Sequence, residues 1–208
     1  MVKVHMKGGA KIHKRGGNQG RWVILAGLIA CCWGISACFT IRPVEPPTNV
    51  NSDWVSPSDY EILLTNLRTA IAQQNVQNYL RCFQADELEF EPVASLFNEN
   101  ETVWQNWSIQ DEQAYLDNVI ANLSSGSGNA LILEEEALQD VTEDSLKYVG
   151  LYTLRVNHTD TTLTTLFKGQ LQLVIKLNSF NEWEIHRWQD IELYPDSSWS
   201  ELKLFFGQ

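Results

Sequence analysis

Four strand-like segments follow one another in the second half of the chain, and they constrain its fold more than any other feature. They cover residues 130–139, 146–157, 162–177 and 182–193 and contain many β-branched and aromatic residues. Short clusters of turn-forming polar residues separate them. A parallel crossover needs about a dozen residues or more, so these neighbours must pair antiparallel. The sequence therefore predicts a four-stranded antiparallel meander.

Helical patterns, with apolar residues three and four positions apart, precede these strands. The first predicted helix begins with Ser56 as its cap, and its pattern breaks at Gln74. Asn75 can cap a second, short helix. Ser108 and Asp111 have the spacing of a capping box and predict the start of a further helix.

Two smaller elements complete the predicted order. Residues 88–93 alternate apolar and acidic side chains, which is typical of a short strand, and Pro92 restricts that strand to an edge of the sheet. Ser198, with Glu201 three residues later, begins a last short amphipathic helix. Because the helices come first and the meander follows, the predicted fold class is α+β.

This order of elements resembles the nuclear transport factor 2-like (NTF2-like, or SnoaL-like) superfamily. The resemblance covers residues 58–194 and is carried by the segment AIAQQNVQNYLRCF and by the closing strand WEIHRWQDIEL. It implies a cone, in which a strongly curved antiparallel sheet wraps around the helices and leaves a pocket at its open end. Some members are isomerases, dehydratases or cyclases, and others only bind or dimerise through the outer face of the sheet.

The enzymatic members place an Asp, His or Tyr deep in the cone as a general acid or base. No residue of this chain aligns with that position, so no catalytic residue is predicted. His186, Trp188 and Asp190 alternate along the closing strand and are expected to share one face. The pattern leaves open whether that face lines the cone. The His186–Asp190 pair is therefore either catalytic or a hydrogen-bonding pair at the surface, and Asp86 lies either at the pocket mouth or in solvent.

Large aromatic side chains are natural contacts for a ligand or partner because they supply a large contact area. The candidate ligand-binding residues are Trp104, Trp107, His186 and Trp188. The three tryptophans can equally be ordinary core residues.

Other kinds of site lack their sequence signals. The histidines after residue 38, His158 and His186, are isolated, so we expect no metal site. The glycine-rich stretch at 126–128 follows a helix instead of opening one, unlike a phosphate-binding loop. Cys82 has no neighbouring histidine to activate it as a nucleophile. We therefore expect neither a metal nor a cofactor.

A charge-free apolar run, Trp22–Cys38, follows a segment that has basic residues and no acidic one. This is the pattern of a secretory signal, and the run is shorter than the roughly 20 residues that span a bilayer. Its end, ISAC at 35–38, resembles the lipobox of bacterial lipoprotein precursors. The resemblance implies that residues 1–37 are a signal peptide and that Cys38 is the lipid-attachment site, which carries acyl chains such as palmitate.

Two alternatives remain for this segment. LIAC at 28–31 also resembles a lipobox, although Ile29 is bulky where a small residue is usual, and it makes Cys31 the alternative attachment site. The other alternative is an uncleaved membrane helix from Trp22 to about Ile41.

The composition of the chain after Cys38 indicates a tether followed by one folded domain. Residues 38–57 contain several prolines and are predicted to be a tether, and residues 58–208 are predicted to be one domain. Six of the 15 Lys and Arg residues precede Cys38, which leaves 9 basic against 26 acidic residues and a net charge of −17. Such a surface repels nucleic-acid phosphates, so nucleic acid is not an expected partner.

Together these features favour a lipid-anchored protein of the bacterial cell envelope, facing the periplasm or the cell surface. Its domain is expected to bind a small apolar ligand or an envelope protein without catalysis. The alternative is a small-molecule isomerase or hydrolase of the same superfamily. The membrane is contacted through the lipid, and a homodimer through the sheet is compatible with the fold. A filled cone and an exposed apolar sheet face favour an interaction module, whereas a closed pocket with His186 or another ionisable group buried at its base favours an enzyme.

Overall fold

A computed structural model of the chain describes residues 53–124 and 128–208. The predicted signal peptide, the lipid-attachment site Cys38 and the predicted tether up to residue 52 lie outside the described residues. Within the described ranges, no helix has both the length and the apolar character needed to cross a bilayer.

The order of helices and strands follows the predicted order, except that two short helices between residues 94 and 104 were not predicted. The helices are α1 (Tyr60–Gln73), α2 (Val76–Leu80), α3 (Ala94–Glu99), α4 (Glu101–Trp104), α5 (Ile109–Ala121) and α6 (Trp199–Phe206). The strands are β1 (Glu89–Glu91), β2 (Ala130–Thr142), β3 (Ser145–Arg155), β4 (Leu166–Leu177) and β5 (Trp183–Glu192).

The five strands form one curved, unclosed sheet in the order β1-β5-β4-β3-β2. The pairs β2–β3, β3–β4 and β4–β5 are antiparallel, which confirms the predicted meander. β1 pairs parallel to β5 at one edge, and Pro92 follows its last residue, as the sequence predicts for an edge strand. The predicted α+β class is confirmed.

Some boundaries differ from the predicted ones. The third strand of the meander begins at Leu166 instead of residue 162, because a local turn occupies the intervening residues. Oδ1 of Asp160 accepts hydrogen bonds from the backbone N–H groups of Thr162 and Leu163 at 2.7 and 3.2 Å, which is a side-chain-stabilised turn.

Helix caps explain where the helices begin and end. Asp59, not Ser56, caps α1, because its Oδ1 accepts the backbone N–H of Glu61 at 2.8 Å. The predicted break at Gln74 is confirmed by its left-handed φ of 59°. The predicted cap Asn75 is also confirmed, since its Oδ1 accepts the backbone N–H of Asn78 in the first turn of α2 at 3.0 Å. The capping boxes that begin α5 and α6 are both present.

The core lies between the helices and one face of the sheet. Along β3 and β4 buried and partly exposed residues alternate, so one face of each strand packs against the helices. Gly169 of β4 leaves room for the ring of Tyr152, because a Cβ there would lie 2.5 Å from the tyrosine Oη. The tyrosine hydroxyl can therefore reach the interior of the cone.

The last residues of the predicted tether contact the domain. Val55 and the side chain of Asn66 on α1 exchange two hydrogen bonds, at 2.6 and 3.2 Å. The carbonyl of Pro57 accepts the N–H of Trp183 at the start of β5, at 2.8 Å. Residues 53–57 are thus held against the folded domain.

Candidate functional site

A β-bulge at His186 decides which residues of β5 face the interior. Two consecutive residues of β4 pair with Ile185 and Arg187, so His186 has no partner on that strand. After the bulge Trp188 and Asp190 face the core, with 1% and 2% of their surface exposed. The expectation that His186 shares their face is wrong, because the extra residue shifts the alternation of the strand.

His186 does not face the core of the domain. Its Nδ1 is 3.9 Å from Oε2 of the exposed Glu87, and within the described chain neither ring nitrogen has a hydrogen-bond partner. Burial, followed by the charge of Lys176, lowers the pKa of His186. This shift favours the neutral form of its imidazole.

The interior contains a buried ion pair between α5 and α6. Lys203 of α6 donates from Nζ to Oε1 of Glu112 on α5, and both side chains are 0% exposed. Trp107 donates from Nε1 to the same oxygen at 2.8 Å, and Tyr79 donates from its hydroxyl to Oε2 at 2.7 Å. Three donors thus satisfy the carboxylate, which is what allows a charge to be buried at all.

Aromatic rings surround the ammonium group of Lys203. Its Nζ lies 3.7 Å from the ring centroids of both Phe90 and Trp188, and 5.9 Å from those of Trp107 and Tyr115. Cations are attracted to the faces of such rings at distances below about 6 Å. We call these four rings and the carboxylate of Glu112 the ammonium chamber.

A second buried cluster lies around Asp190. Its Oδ2 accepts the backbone N–H and the hydroxyl of Ser200 at 2.7 and 2.6 Å, and its Oδ1 accepts the hydroxyl of Tyr152 at 2.9 Å. The same tyrosine oxygen accepts the N–H of Trp199 at 2.7 Å. Two backbone donors in the first turn of α6 are therefore satisfied by side chains of the sheet.

Burial perturbs the ionisable groups of both clusters. It raises the pKa of Asp190, although hydrogen bonds from Ser200 and Tyr152 oppose the shift. It also raises the pKa of Tyr152, and it lowers the pKa of Lys203, where the charge of Glu112 acts in the opposite direction. A carboxyl group beside a phenol is chemically able to exchange protons, but in this conformation α6 separates both from solvent.

Helix α6 closes the cone. Trp199, Leu202, Lys203 and Phe206 each have 5% or less of their surface exposed. The ring of Trp199 makes an edge contact with that of Trp188, at a centroid distance of 4.5 Å. The buried side chains of this helix thus fill space between the sheet and α5.

Three of the four candidate ligand-binding residues lie in the core. Trp104, Trp107 and Trp188 are 3%, 7% and 1% exposed and pack around Phe90 at centroid distances of 5.4 to 6.0 Å. Trp107 and Trp188 belong to the ammonium chamber. The fourth candidate, His186, lies outside it.

A groove opens on the surface where residues 53–57 meet the domain. It has a volume of about 540 Å³, and the exposed Asp86 is among the residues that line it. The guanidinium of Arg81 stacks 4.1 Å from the ring centroid of Trp54. Apolar contact in the groove comes from Trp54, Leu80 and Phe83.

Glu112 and Lys203 are the site residues that sequence reasoning missed. Each occupies the apolar stripe of its helix: Glu112 is spaced with Tyr115 and Leu116, and Lys203 with Trp199 and Phe206. A charged residue within such a stripe was an available signal. Among the described residues, no group of three or more His, Cys, Asp or Glu side chains is placed to hold a metal ion.

Comparison with solved structures identifies proteins of the same fold. A candidate aromatic ring hydroxylase of Novosphingobium aromaticivorans has a TM-score of 0.52 and 14% identity, over 69% of this chain and 93% of that one. A candidate scytalone dehydratase of the same species has a TM-score of 0.52 and 10% identity, over 66% of this chain and 84% of that one. An NTF-2 like protein of Shewanella oneidensis has a TM-score of 0.41 and 11% identity, over 64% and 96%.

No protein-family model matches the sequence, and a search of curated proteins finds no match. Identities this low show a shared fold and do not carry function with them. The two neighbours with a TM-score of 0.52 support the predicted fold, in which a curved sheet packs against the helices.

Proposed function

We propose that this chain is a lipid-anchored protein of the bacterial cell envelope whose NTF2-like domain binds a ligand or partner instead of catalysing a reaction. The observation that supports binding is the filled cone. Its interior contains the acidic and basic side chains of Asp190, Glu112 and Lys203, which are 2%, 0% and 0% exposed. All three are satisfied by partners within the domain, so no substrate reaches them while α6 is docked.

The groove beside Trp54 is the surface where we place this binding. It is open to solvent, and it combines apolar side chains with amide, carboxylate and guanidinium groups that can orient a ligand. Within the described chain, the ion pairs involve other basic residues, so the guanidinium of Arg81 remains available to a ligand. A small apolar molecule or an apolar segment of an envelope protein fits this chemistry.

Truncation of the groove wall tests this assignment. Trp54→Ala removes the largest apolar contact and the ring on which Arg81 stacks, so we expect the fluorescent apolar probe anilinonaphthalene sulfonate to bind about tenfold more weakly, a change of about 1.4 kcal/mol. Phe205→Ala is the matched control, because Phe205 is 45% exposed and does not line the groove. Equal probe affinity in the two variants would place the binding surface elsewhere.

Anchoring is tested at the two cysteines of the apolar run. If Cys38 carries the lipid, Cys38→Ala should abolish labelling by a fatty-acid analogue and leave an unprocessed precursor, while Cys31→Ala should change neither. Two or more acyl chains, each methylene contributing about 0.8 kcal/mol, should hold the wild-type protein in the membrane fraction. Labelling that survives Cys38→Ala and disappears in Cys31→Ala assigns the earlier lipobox, and labelling unaffected by either change refutes the lipid anchor.

A specific observation favours an isomerase or hydrolase as the second candidate. Asp190 and Tyr152 form a carboxyl–phenol pair deep in the cone, and burial raises the pKa of both groups. Two of the structural neighbours are named as a hydroxylase and a dehydratase. Catalysis by this pair would require α6 to leave the cone, since it covers both side chains.

A further inference from the structure

We propose that the ammonium chamber is a binding site for alkylammonium groups, and that the side chain of Lys203 is its intramolecular ligand. This goes beyond the groove at Trp54, because it assigns a second site, in the interior, with a defined ligand chemistry. The consequence is that docking of α6 and binding of an external amine exclude each other.

The composition of the chamber matches the chemistry of cation recognition. Two ring faces lie 3.7 Å from Nζ, and two further rings lie 5.9 Å away. Aromatic rings arranged around a cation are the common solution for recognising alkylated ammonium groups. Glu112 adds the counter-charge, and its remaining acceptor positions are fixed by Trp107 and Tyr79. The carboxylate therefore holds its position without help from Lys203.

Most of the chamber is built without α6. Phe90 belongs to β1, Trp188 to β5, and Glu112 and Tyr115 to α5, while Trp107 lies two residues before α5. Only the ammonium group comes from α6. Contacts among the rings themselves, such as Phe90 with Trp188 at a centroid distance of 5.4 Å, support the walls when the ligand changes. The walls and the occupant are thus separate parts of the chain.

Removal of the lysine side chain exposes the site to experiment. In the full chain, purified in detergent, Lys203→Ala leaves a vacancy beside Glu112 that n-propylammonium is expected to fill. We expect a saturable rise in the melting temperature with n-propylammonium chloride. 1-Propanol, which has the same shape without the charge, should give no comparable rise, and neither should sodium chloride at equal ionic strength.

Two further proteins complete the test. Lys203→Ala combined with Glu112→Gln removes the counter-charge and should bind n-propylammonium at least tenfold more weakly. The wild type should also bind it at least tenfold more weakly than Lys203→Ala, because its own lysine competes. If Lys203→Ala does not fold alone, recovery of its circular-dichroism signal by n-propylammonium and not by 1-propanol is the supporting result.

Three results would overturn the proposal. The first is a folded Lys203→Ala protein that n-propylammonium does not stabilise, or an unfolded one that it does not restore. The second is an equal effect of 1-propanol, which would reduce the site to an apolar cavity. The third is equal affinity of the wild type and Lys203→Ala, which would show that the amine binds elsewhere.

Discussion

Replacing Glu112 by alanine should destabilise the domain by about 3–5 kcal/mol, as expected when one partner of a buried ion pair is removed. The variant leaves the ammonium group of Lys203 at 0% exposure without its carboxylate. It also leaves the hydroxyl of Tyr79 and Nε1 of Trp107 without their acceptor. Since a domain is stable by only about 5–15 kcal/mol in total, urea denaturation should show a large fall in the midpoint.

A double variant distinguishes the loss of the Glu112–Lys203 ion pair from the loss of side-chain volume at residue 112. Glu112→Met combined with Lys203→Met replaces both charges by flexible apolar side chains and leaves no charge buried alone. We expect the double variant to be clearly more stable than Glu112→Met, which keeps the side-chain volume at residue 112 but leaves the ammonium of Lys203 without its carboxylate. The two hydrogen-bond donors on Tyr79 and Trp107 remain unsatisfied in both proteins, so the difference between them reports on the stranded ammonium. If both proteins unfold at the same urea concentration, the ion pair is not what stabilises the interior.

The meander was predictable because its signal is local. Each strand is an apolar segment, each connection is too short for a crossover, and these two facts together dictate antiparallel pairing. The capping box at Ser108 was predictable for the same reason, since it depends on residues three positions apart. The resemblance to NTF2-like proteins then supplied the curvature, which no local pattern contains.

The bulge at His186 was not predictable, and the arrangement of the site depends on it. An extra residue in one strand changes no local propensity; it appears only when the register with β4 is known. The alternation of side chains along a regular strand predicted that His186 and Asp190 share one face. Because of the bulge, only Asp190 faces the interior. One hydrogen-bond partner of Asp190 is Tyr152, 38 residues earlier in the chain. No local sequence pattern indicates a contact between residues so far apart.

The ion pair failed to emerge from the sequence for a different reason. Lys and Glu are rarely buried, so composition-based reasoning places them on the surface even when they interrupt an apolar stripe. Lys203 lies on the same side of α6 as Trp199, Leu202 and Phe206, all buried. Its burial is explained by Glu112 and the four aromatic rings, which contact it from other elements of the fold.

Asp190→Ala is expected to detach α6 from the sheet. The aspartate accepts three hydrogen bonds, two from Ser200 and one from Tyr152, and its removal leaves these donors buried without an acceptor. Each unsatisfied buried donor costs about 1–3 kcal/mol, so we expect a loss of about 3 kcal/mol or more. The negative charge also lies at the N-terminus of α6, where it interacts favourably with the helix dipole.

Amide hydrogen exchange distinguishes detachment of α6 from general unfolding. An isolated helix of eight residues is not stable in water, so α6 depends on its contacts with the rest of the domain. In Asp190→Ala, the amides of α6 should therefore exchange faster than those of β3 and β4, whose pairing does not involve the aspartate. Asp190→Asn is the matched control, because its amide oxygen can still accept from Ser200, and it should lose less protection. Equal protection of α6 in Asp190→Ala and the wild type would mean that the apolar contacts of Trp199 and Leu202 suffice to hold the helix in the cone.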